Sequence, residues 1–356
     1  MEEALRVIDA NLNRAREGLR TAEDYARYIL KDQVSQRSLK QLRRSLREVV
    51  NALGEASNRL LHARDVEADV GVDDRADAPR EDMRSIAKAG LKRTEEALRV
   101  IEEFAQLVNP KASASAAAMR YAVYIAEQQL LAGGPLRAKL AEQPVLVIFT
   151  REMCLLPWRE MLGVLLTAGA SAFQLREKRL TLREFCRYAA EFVEVARGRG
   201  AITTVNDRVD VAFAARADGV HLGRDDFPIA EARRMLGHGA IIGASAHNLK
   251  DAQAAIEEGA DYIGVGAMYE TSTKDDVEKV VGPALLEQVL PEVSVPAFAI
   301  GGIKAGNLAP LIAAGARHVA VCSAIIRSND PAQAYHEIAA LVNAARMDET
   351  RPEPAK

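Results

Sequence analysis

Cysteine is scarce in this chain: Cys154, Cys186 and Cys322 are the only three among 356 residues. They are odd in number, widely spaced and without any Cys-x-x-Cys pairing, which excludes a disulfide framework and a zinc knuckle and fits a reducing compartment. Aromatic residues make up 5%, with a single Trp, too few for the stacking platforms that grip single-stranded nucleic acid. Basic excess is missing as well. Lys and Arg total 47 against 50 Asp and Glu, a formal charge of -3, so no nucleic-acid and no anionic-membrane partner is expected. No stretch approaches the ~20 apolar residues of a membrane span, and Met1 to Arg6 shows no basic segment leading into an apolar run; the expected location is cytoplasmic. Neither Gly-x-x-x-x-Gly-Lys-Ser/Thr nor Gly-x-Gly-x-x-Gly occurs, which disfavours a P-loop kinase and a dinucleotide-binding dehydrogenase. What is present, 49% hydrophobic and 27% charged residues, is the balance of a folded globular protein whose partners are small molecules. The length suits one barrel-sized domain of ~250 residues or fewer plus a smaller one.

The texture changes near Leu131-Ala132-Gly133-Gly134-Pro135. Upstream, glycine is sparse, and Leu5, Ile8, Leu12, Leu19, Ala22, Tyr25, Ala26 and Ile29 form an i, i+3, i+4 stripe that predicts a helix over 2–31. Further helices are expected over 34–62, 81–108 and 114–132, with an acid-rich break from Asp65 to Asp82 between the two pairs. At an offset of 79, Arg14, Glu17, Leu19, Arg20, Glu23 and Ala26 fall on Arg93, Glu96, Leu98, Arg99, Glu102 and Ala105. Internal duplication and shared helical composition both produce such a match. Residues 1–134 therefore read as an all-α helical domain of about four helices. It would bury its stripes as a bundle or against a second copy, and a homo-oligomer is the expected state. Its Arg/Glu lattice, with Arg16, Glu17, Arg20, Glu23, Arg99, Glu102 and Glu103, reads as a solvated face. A linker is expected over 135–143.

From 145 onward short β-rich runs alternate with helical patterns. The runs are 145–149, 172–175, 202–205, 219–222, 241–244, 262–265, 297–300 and 318–321. Eight such units in about 200 residues predict an α/β fold, a (β/α)8 TIM barrel over 144–346, better than an open doubly wound sheet. The Pro- and charge-rich stretch 347–356 reads as a flexible tail.

In such barrels the chemistry sits at the C-terminal ends of the strands. The residues there are polar: Arg176, Glu177 and Lys178 after the second run, Asn206 and Asp207 after the third, and Arg224, Asp225 and Asp226 after the fourth. Ser245 and His247 end the fifth, Thr271, Ser272, Thr273 and Lys274 follow the sixth, Gly301 and Gly302 the seventh, and Cys322 and Ser323 the eighth. Gly301-Gly302 with Cys322-Ser323 resembles a phosphate cradle, in which glycine lets backbone N–H groups approach an anion; a tight strand-to-helix turn needs glycine too. Arg176, Lys178 and Lys274 suit a diphosphate, and Asp207 and Asp226 suit a Mg²⁺ ion bridging its oxygens, although an Asp in that place also caps the next helix. No covalent nucleophile is apparent. Cys154 has no assignable base, and Cys186, inside a helical pattern, reads as a structural thiol. His221, between Val220 and Leu222, reads as barrel-lining rather than catalytic, and His247 suits capping or positioning equally. Two anion sites and one metal point to a transferase joining two phosphorylated molecules.

These strings, in this order, resemble the thiamine phosphate synthase family. They are Phe173-Gln174-Leu175-Arg176-Glu177-Lys178, Val205-Asn206-Asp207, Gly219-Val220-His221-Leu222-Gly223 with Asp226, Gly243-Ala244-Ser245-Ala246-His247, Thr271-Ser272-Thr273-Lys274 and Ile300-Gly301-Gly302-Ile303. The resemblance implies condensation of hydroxymethylpyrimidine diphosphate with hydroxyethylthiazole phosphate to thiamine phosphate and pyrophosphate. Gln174, Leu175, Arg176, Glu177, Lys178, Asn206, Ser245 and Lys274 would contact the pyrimidine diphosphate, with Arg176, Lys178, Ser245 and Lys274 as the catalytic group. Asp207 and Asp226 would hold Mg²⁺, and Thr271, Ser272, Thr273, Gly302, Cys322 and Ser323 the thiazole phosphate. Ala267 and Glu270 replace prolines usual in the family's sixth loop, and Arg224-Asp225 replaces its Gln-Glu pair. A related branch of the same barrel acts as a thiazole tautomerase or as a regulator that binds thiamine phosphates. The helical domain resembles an extension found in some synthases.

Overall fold

A computed structural model of the chain describes residues 1–30, 32–63, 82–270 and 280–349. The chain divides into two units, Met1–Pro135 and Leu136–Lys356.

The first unit is helical. Its long elements are α1 (Glu2–Asp24), α2 (Gln33–Ala52), α3 (Met83–Ala105) and α4 (Pro110–Gln128). Single π-helical turns, Tyr25–Leu30 and Gln129–Gly133, extend α1 and α4, and a 3₁₀ turn, Gly54–Arg59, follows α2. Three of the four helices start at a side-chain cap: Asp32 accepts from the Val34 and Ser35 amides, Asn109 from that of Lys111, and Asp82 and Ser85 bond reciprocally, while α1 has no side-chain cap. Apart from Asp82, the acid-rich break lies outside the described residues. One core gathers Leu5, Ile8, Leu12 and Leu19 of α1 with Leu39, Leu46, Leu91, Leu98 and Val123 of the other three helices. Helices α1 and α3 touch backbone to backbone: a Cβ on Gly18 would lie 2.2 Å from the Gly90 carbonyl oxygen, so only glycine permits the approach.

The offset of 79 recurs in the contacts. Arg20–Asp24 (3.2 Å) matches Arg99–Glu103 (2.6 Å), and Glu23 and Glu102, themselves 79 apart, each pair with an Arg of the following helix, Arg43 (2.9 Å) and Arg120 (3.0 Å), which stand 77 apart. Thr94 donates to the carbonyl of Ala15, its own counterpart at that offset, at 3.3 Å. The expected solvated lattice needs correction at two places. The side chains of Glu23 and Glu102 are only 7% and 15% exposed, because each faces an Arg on the neighbouring helix.

The second unit is a closed barrel of eight parallel strands: β1 (Val145–Phe149), β2 (Ala172–Leu175), β3 (Ile202–Asn206), β4 (Gly219–Leu222), β5 (Ile241–Ala246), β6 (Tyr262–Gly266), β7 (Ala297–Ile300) and β8 (Val319–Val321). Each pairs with the next and β8 closes on β1. Alternate residues face inward. Toward the N-terminal end the interior is apolar, with Leu146, Ala172, Ile202, Ile241, Tyr262 and Phe298 in one cluster. Outward residues meet the helices, as Phe149 and Phe173 do with Phe192 of helix Leu182–Gly198.

The expected linker 135–143 is corrected to a helix, Gly134–Ala141, followed by a short link into β1. Leu136 and Leu140, one turn apart, pack on the apolar cluster at the base of the barrel, and that burial orders the segment. Pro135 is compatible with a first helical turn, so the Gly-Gly-Pro punctuation starts a helix instead of excluding one. From the same helix Arg137 reaches the buried carboxylate of Asp261 (3.5 Å), which also holds Arg233 (2.6 Å) and the Ile242 amide (2.8 Å). The final helix, Pro331–Glu349, runs into the expected tail; residues 350–356 lie outside the described residues. Among the described residues no helix is long and apolar enough to cross a membrane.

Asp261 neutralises two largely buried guanidinium groups, so Asp261→Ala is expected to destabilise the barrel by at least about 3 kcal/mol. The single Trp, Trp158, stacks on Phe192 within this unit and reports its unfolding. Urea titration followed by Trp fluorescence checks the expectation; a loss under about 1 kcal/mol would contradict it.

Candidate active site

The C-terminal ends of the strands surround an open cavity. Gln174 and Arg176 line it from β2, Asn206 from β3, His221 from β4, and Ser245 and His247 from β5. Gly301 and Gly302 line it after β7, and Cys322 and Ser323 after β8. Seven of the sequence-predicted residues thus meet in one space: Gln174, Arg176, Asn206, Ser245, Gly302, Cys322 and Ser323.

The Leu175 side chain does not join them. Strand alternation points Gln174 inward and Leu175 toward the helix layer, where it is fully buried on the same side as Phe173. Glu177 also turns away from the cavity. Its Oε1 accepts from the Arg151 amide at 2.6 Å, tying the loop after β1 to that after β2, and burial raises its pKa.

Lys178, Asp207 and Asp226 stand beside the cavity. The Lys178 ammonium lies 2.5 Å from Asp207 Oδ2. Asp207 has left-handed backbone (φ 61°), a conformation Asp tolerates better than most residues, and its amide donates to the His221 carbonyl at 2.8 Å. Asp226 accepts from the Gly223 amide at 2.7 Å, and with Asp207 it lines a shallow groove. Burial, and then the neighbouring Asp207, push the Asp226 carboxyl above its ordinary range, against the opposing Gly223 bond. Asp226, its proton affinity raised beside the Asp207 carboxylate, forms with it an all-oxygen donor pair that suits a hard cation. Among the described residues no group of three or more His, Cys, Asp or Glu side chains gathers around one point. Arg224, which departs from the family pattern, pairs with Asp251, so its charge is turned from Asp226.

Thr271, Ser272, Thr273 and Lys274 lie outside the described residues. The approach to them is fixed without the family's prolines. The amides of Met268 and Tyr269 donate to the carbonyls of Ile300 (2.8 Å) and Gly301 (3.1 Å), and the Tyr269 hydroxyl donates to the Asn307 carbonyl (2.7 Å). Gly302 has φ 63°, and a Cβ there would lie 2.4 Å from the Glu270 carbonyl oxygen. Both conformation and space demand glycine at that point.

His247 Nδ1 lies 2.7 Å from the Gly266 carbonyl oxygen, and its backbone amide donates to Asp251 at 3.2 Å. His221 Nε2 lies 3.1 Å from Ser245 Oγ and its Nδ1 3.1 Å from Tyr262 Oη. Tyr262 escaped the sequence reading because a Tyr within a β-rich run reads as core. The signal that marks it is the pair of inward glycines, Gly243 and Gly264, on strands that otherwise fill the interior. Burial pushes Cys154 to about 12 and Cys322 to about 11, so neither thiol is ionised near neutrality.

A closed (β/α)8 barrel whose mouth joins cations, a carboxylate pair and a glycine turn defines an enzyme that handles phosphorylated small molecules. Comparison with known proteins narrows the class. The profile of the family described as thiamine monophosphate synthase matches residues 145–325, and that of the ThiD2 family matches residues 6–129. The thiamine-phosphate synthase of Synechocystis sp. is 40% identical over 335 residues, 94% of each chain. That of Gloeobacter violaceus is 39% identical over 334 residues, 92% of this chain and 93% of its own. The solved thiamine phosphate pyrophosphorylase from Pyrococcus furiosus matches with a TM-score of 0.53 at 33% identity, over 58% of this chain and 98% of its own. The chain belongs to the thiamine-phosphate synthase family, transferases of thiamine biosynthesis.

Raising a thiol to about 11 lowers its thiolate fraction at pH 8 by about a hundredfold relative to an ordinary cysteine. Iodoacetamide labelling at pH 8, mapped by mass spectrometry, is therefore expected to modify Cys322 and Cys154 at least tenfold more slowly than free cysteine. Labelling at the free rate would contradict the burial of these thiols.

Proposed function

We propose that the barrel joins hydroxymethylpyrimidine diphosphate to hydroxyethylthiazole phosphate, releasing pyrophosphate and forming thiamine phosphate. The observation that carries this reading is the single cavity with two unlike walls. Gln174, Arg176, Asn206 and Ser245 form a polar wall with a cation, and Gly302, Cys322 and Ser323 form a wall of turn backbone. The first suits a heterocycle bearing a diphosphate, the second a phosphate monoester held by amides.

No general base is required. The attacking thiazole nitrogen carries no proton, and the barrier lies in parting the pyrimidine methylene from pyrophosphate, a dissociative displacement. A protonated thiol, Cys322, and two hydrogen-bonded histidines at the cavity agree with that chemistry. Arg176 offers a forked donor to diphosphate oxygens. Lys178, resting on Asp207, is within reach to follow the departing charge. Asp207 and Asp226 would hold Mg²⁺ by oxygen alone, as the donor pair and the raised Asp226 carboxyl suit. When bound, the ion supplies positive charge that neutralises the leaving diphosphate. In this reading Lys274 contacts the diphosphate, Thr271 to Thr273 the thiazole phosphate, and Ser245 donates to a diphosphate oxygen.

Arg176→Ala and Asp207→Asn, the latter keeping a residue that tolerates the left-handed backbone, are each expected to lower thiamine phosphate formation by about 10²-fold or more while leaving the far-UV spectrum and urea midpoint unchanged. Wild-type rates in either variant would contradict the assignment.

A further inference from the structure

A polar chain inside the barrel is used neither by the proposed diphosphate cations nor by the carboxylate pair. His221, 5% exposed, bridges Ser245 at the cavity wall and Tyr262 in the layer beneath. The two rings fit because their neighbours lack side chains. A Cβ on Gly243 would lie 2.1 Å from Tyr262 Cζ and 2.6 Å from His221 Nδ1, and one on Gly264 would lie 3.2 Å from His221 Cε1.

The direction of this chain follows from donor counting. The Tyr262 phenol keeps its proton, since burial pushes it up to about 12 despite opposing hydrogen bonds from Thr204 and Gln174. Its hydroxyl is 3.1 Å from His221 Nδ1 and 3.5 Å from Thr204 Oγ1, and Thr204 has its own acceptor in the Phe173 carbonyl at 3.4 Å. Nδ1 is nearer to the phenol than Thr204 Oγ1, and with the Gln174 amide acting on the phenol as a donor the phenolic hydrogen is assigned to Nδ1, which makes Nε2 the N–H of a neutral imidazole. That N–H donates to Ser245 Oγ and leaves the serine hydrogen directed at the cavity. A diphosphate offers acceptors only, so this is the orientation it requires.

We infer that His221 is a positioning residue: held by Tyr262 in its Nε2–H form, it turns the Ser245 hydroxyl toward the pyrimidine diphosphate. The inference rests on the reading of Ser245 as a diphosphate contact. The conservative test is Tyr262→Phe, which keeps the ring and removes the clamp, beside His221→Leu and Ser245→Ala, each alone and combined with Ser245→Ala.

Each single variant is expected to lower kcat by about 10- to 100-fold with little change in the KM for the thiazole phosphate. On the Ser245→Ala background, Tyr262→Phe and His221→Leu are expected to cost less than about twofold more, because their effect passes through the serine. Equal penalties on both backgrounds, or wild-type kcat in Tyr262→Phe, would overturn the inference. A wild-type kcat in Ser245→Ala would instead overturn the assignment of Ser245 to the diphosphate. Nitrogen-15 spectra of histidine-labelled wild-type protein provide a readout that does not depend on any variant folding. His221 is expected with Nε2 protonated and Nδ1 bare, and the reverse tautomer contradicts the clamp.

Discussion

A closed barrel of eight parallel strands has an interior of fixed width, and every second residue of every strand must fill it. In the catalytic unit that constraint sorts the chain by depth. The base takes Ile202, Ile241 and Phe298 and is sealed from below by Leu136 and Leu140. The middle takes two large polar rings, Tyr262 and His221, admitted by glycine at 243 and 264. The mouth takes Gln174, Asn206 and Ser245, and Arg176, Lys178, Asp207 and Asp226 lie one to four residues past the strands, where the alternation ends. Apolar burial holds the lower barrel in place, and the polar residues at the rim inherit their positions from it.

The strands were legible because buried parallel strands read as short apolar runs between Gly and Asp punctuation. The site was legible because its residues follow those runs directly. What was misread has local physical causes. Gln174 to Lys178 is contiguous in sequence, yet pleating sends Leu175 to the helix layer and the Arg151 amide captures Glu177. Residues 135–143 carry Gly and Pro at their start, but the open base of the barrel recruits their two leucines into a helix. Within β6 only Gly264 hints that the phenol of Tyr262 differs from an ordinary core aromatic; its role depends on residues of other strands, His221 and Gly243 among them.

In the helical unit, a charged lattice that resembles solvated surface is partly an inter-helical fastening. Glu23 with Arg43 and Glu102 with Arg120 join the members of each hairpin at equivalent places, while Arg20 with Asp24 and Arg99 with Glu103 remain on the surface. The shielded pairs are the ones whose loss strands a charge, and the exposed ones contribute little. The close approach of α1 and α3 rests on Gly18 and Gly90, so backbone contact replaces side-chain interdigitation at the centre of this unit.

The account stands or falls on what the barrel makes. Purified protein supplied with hydroxymethylpyrimidine diphosphate, hydroxyethylthiazole phosphate and Mg²⁺, with pyrophosphate and thiamine phosphate quantified together, is the most direct measurement. The account predicts equal amounts of the two products. Isomerised thiazole phosphate without pyrophosphate, or tight binding of both substrates with neither product, would contradict it.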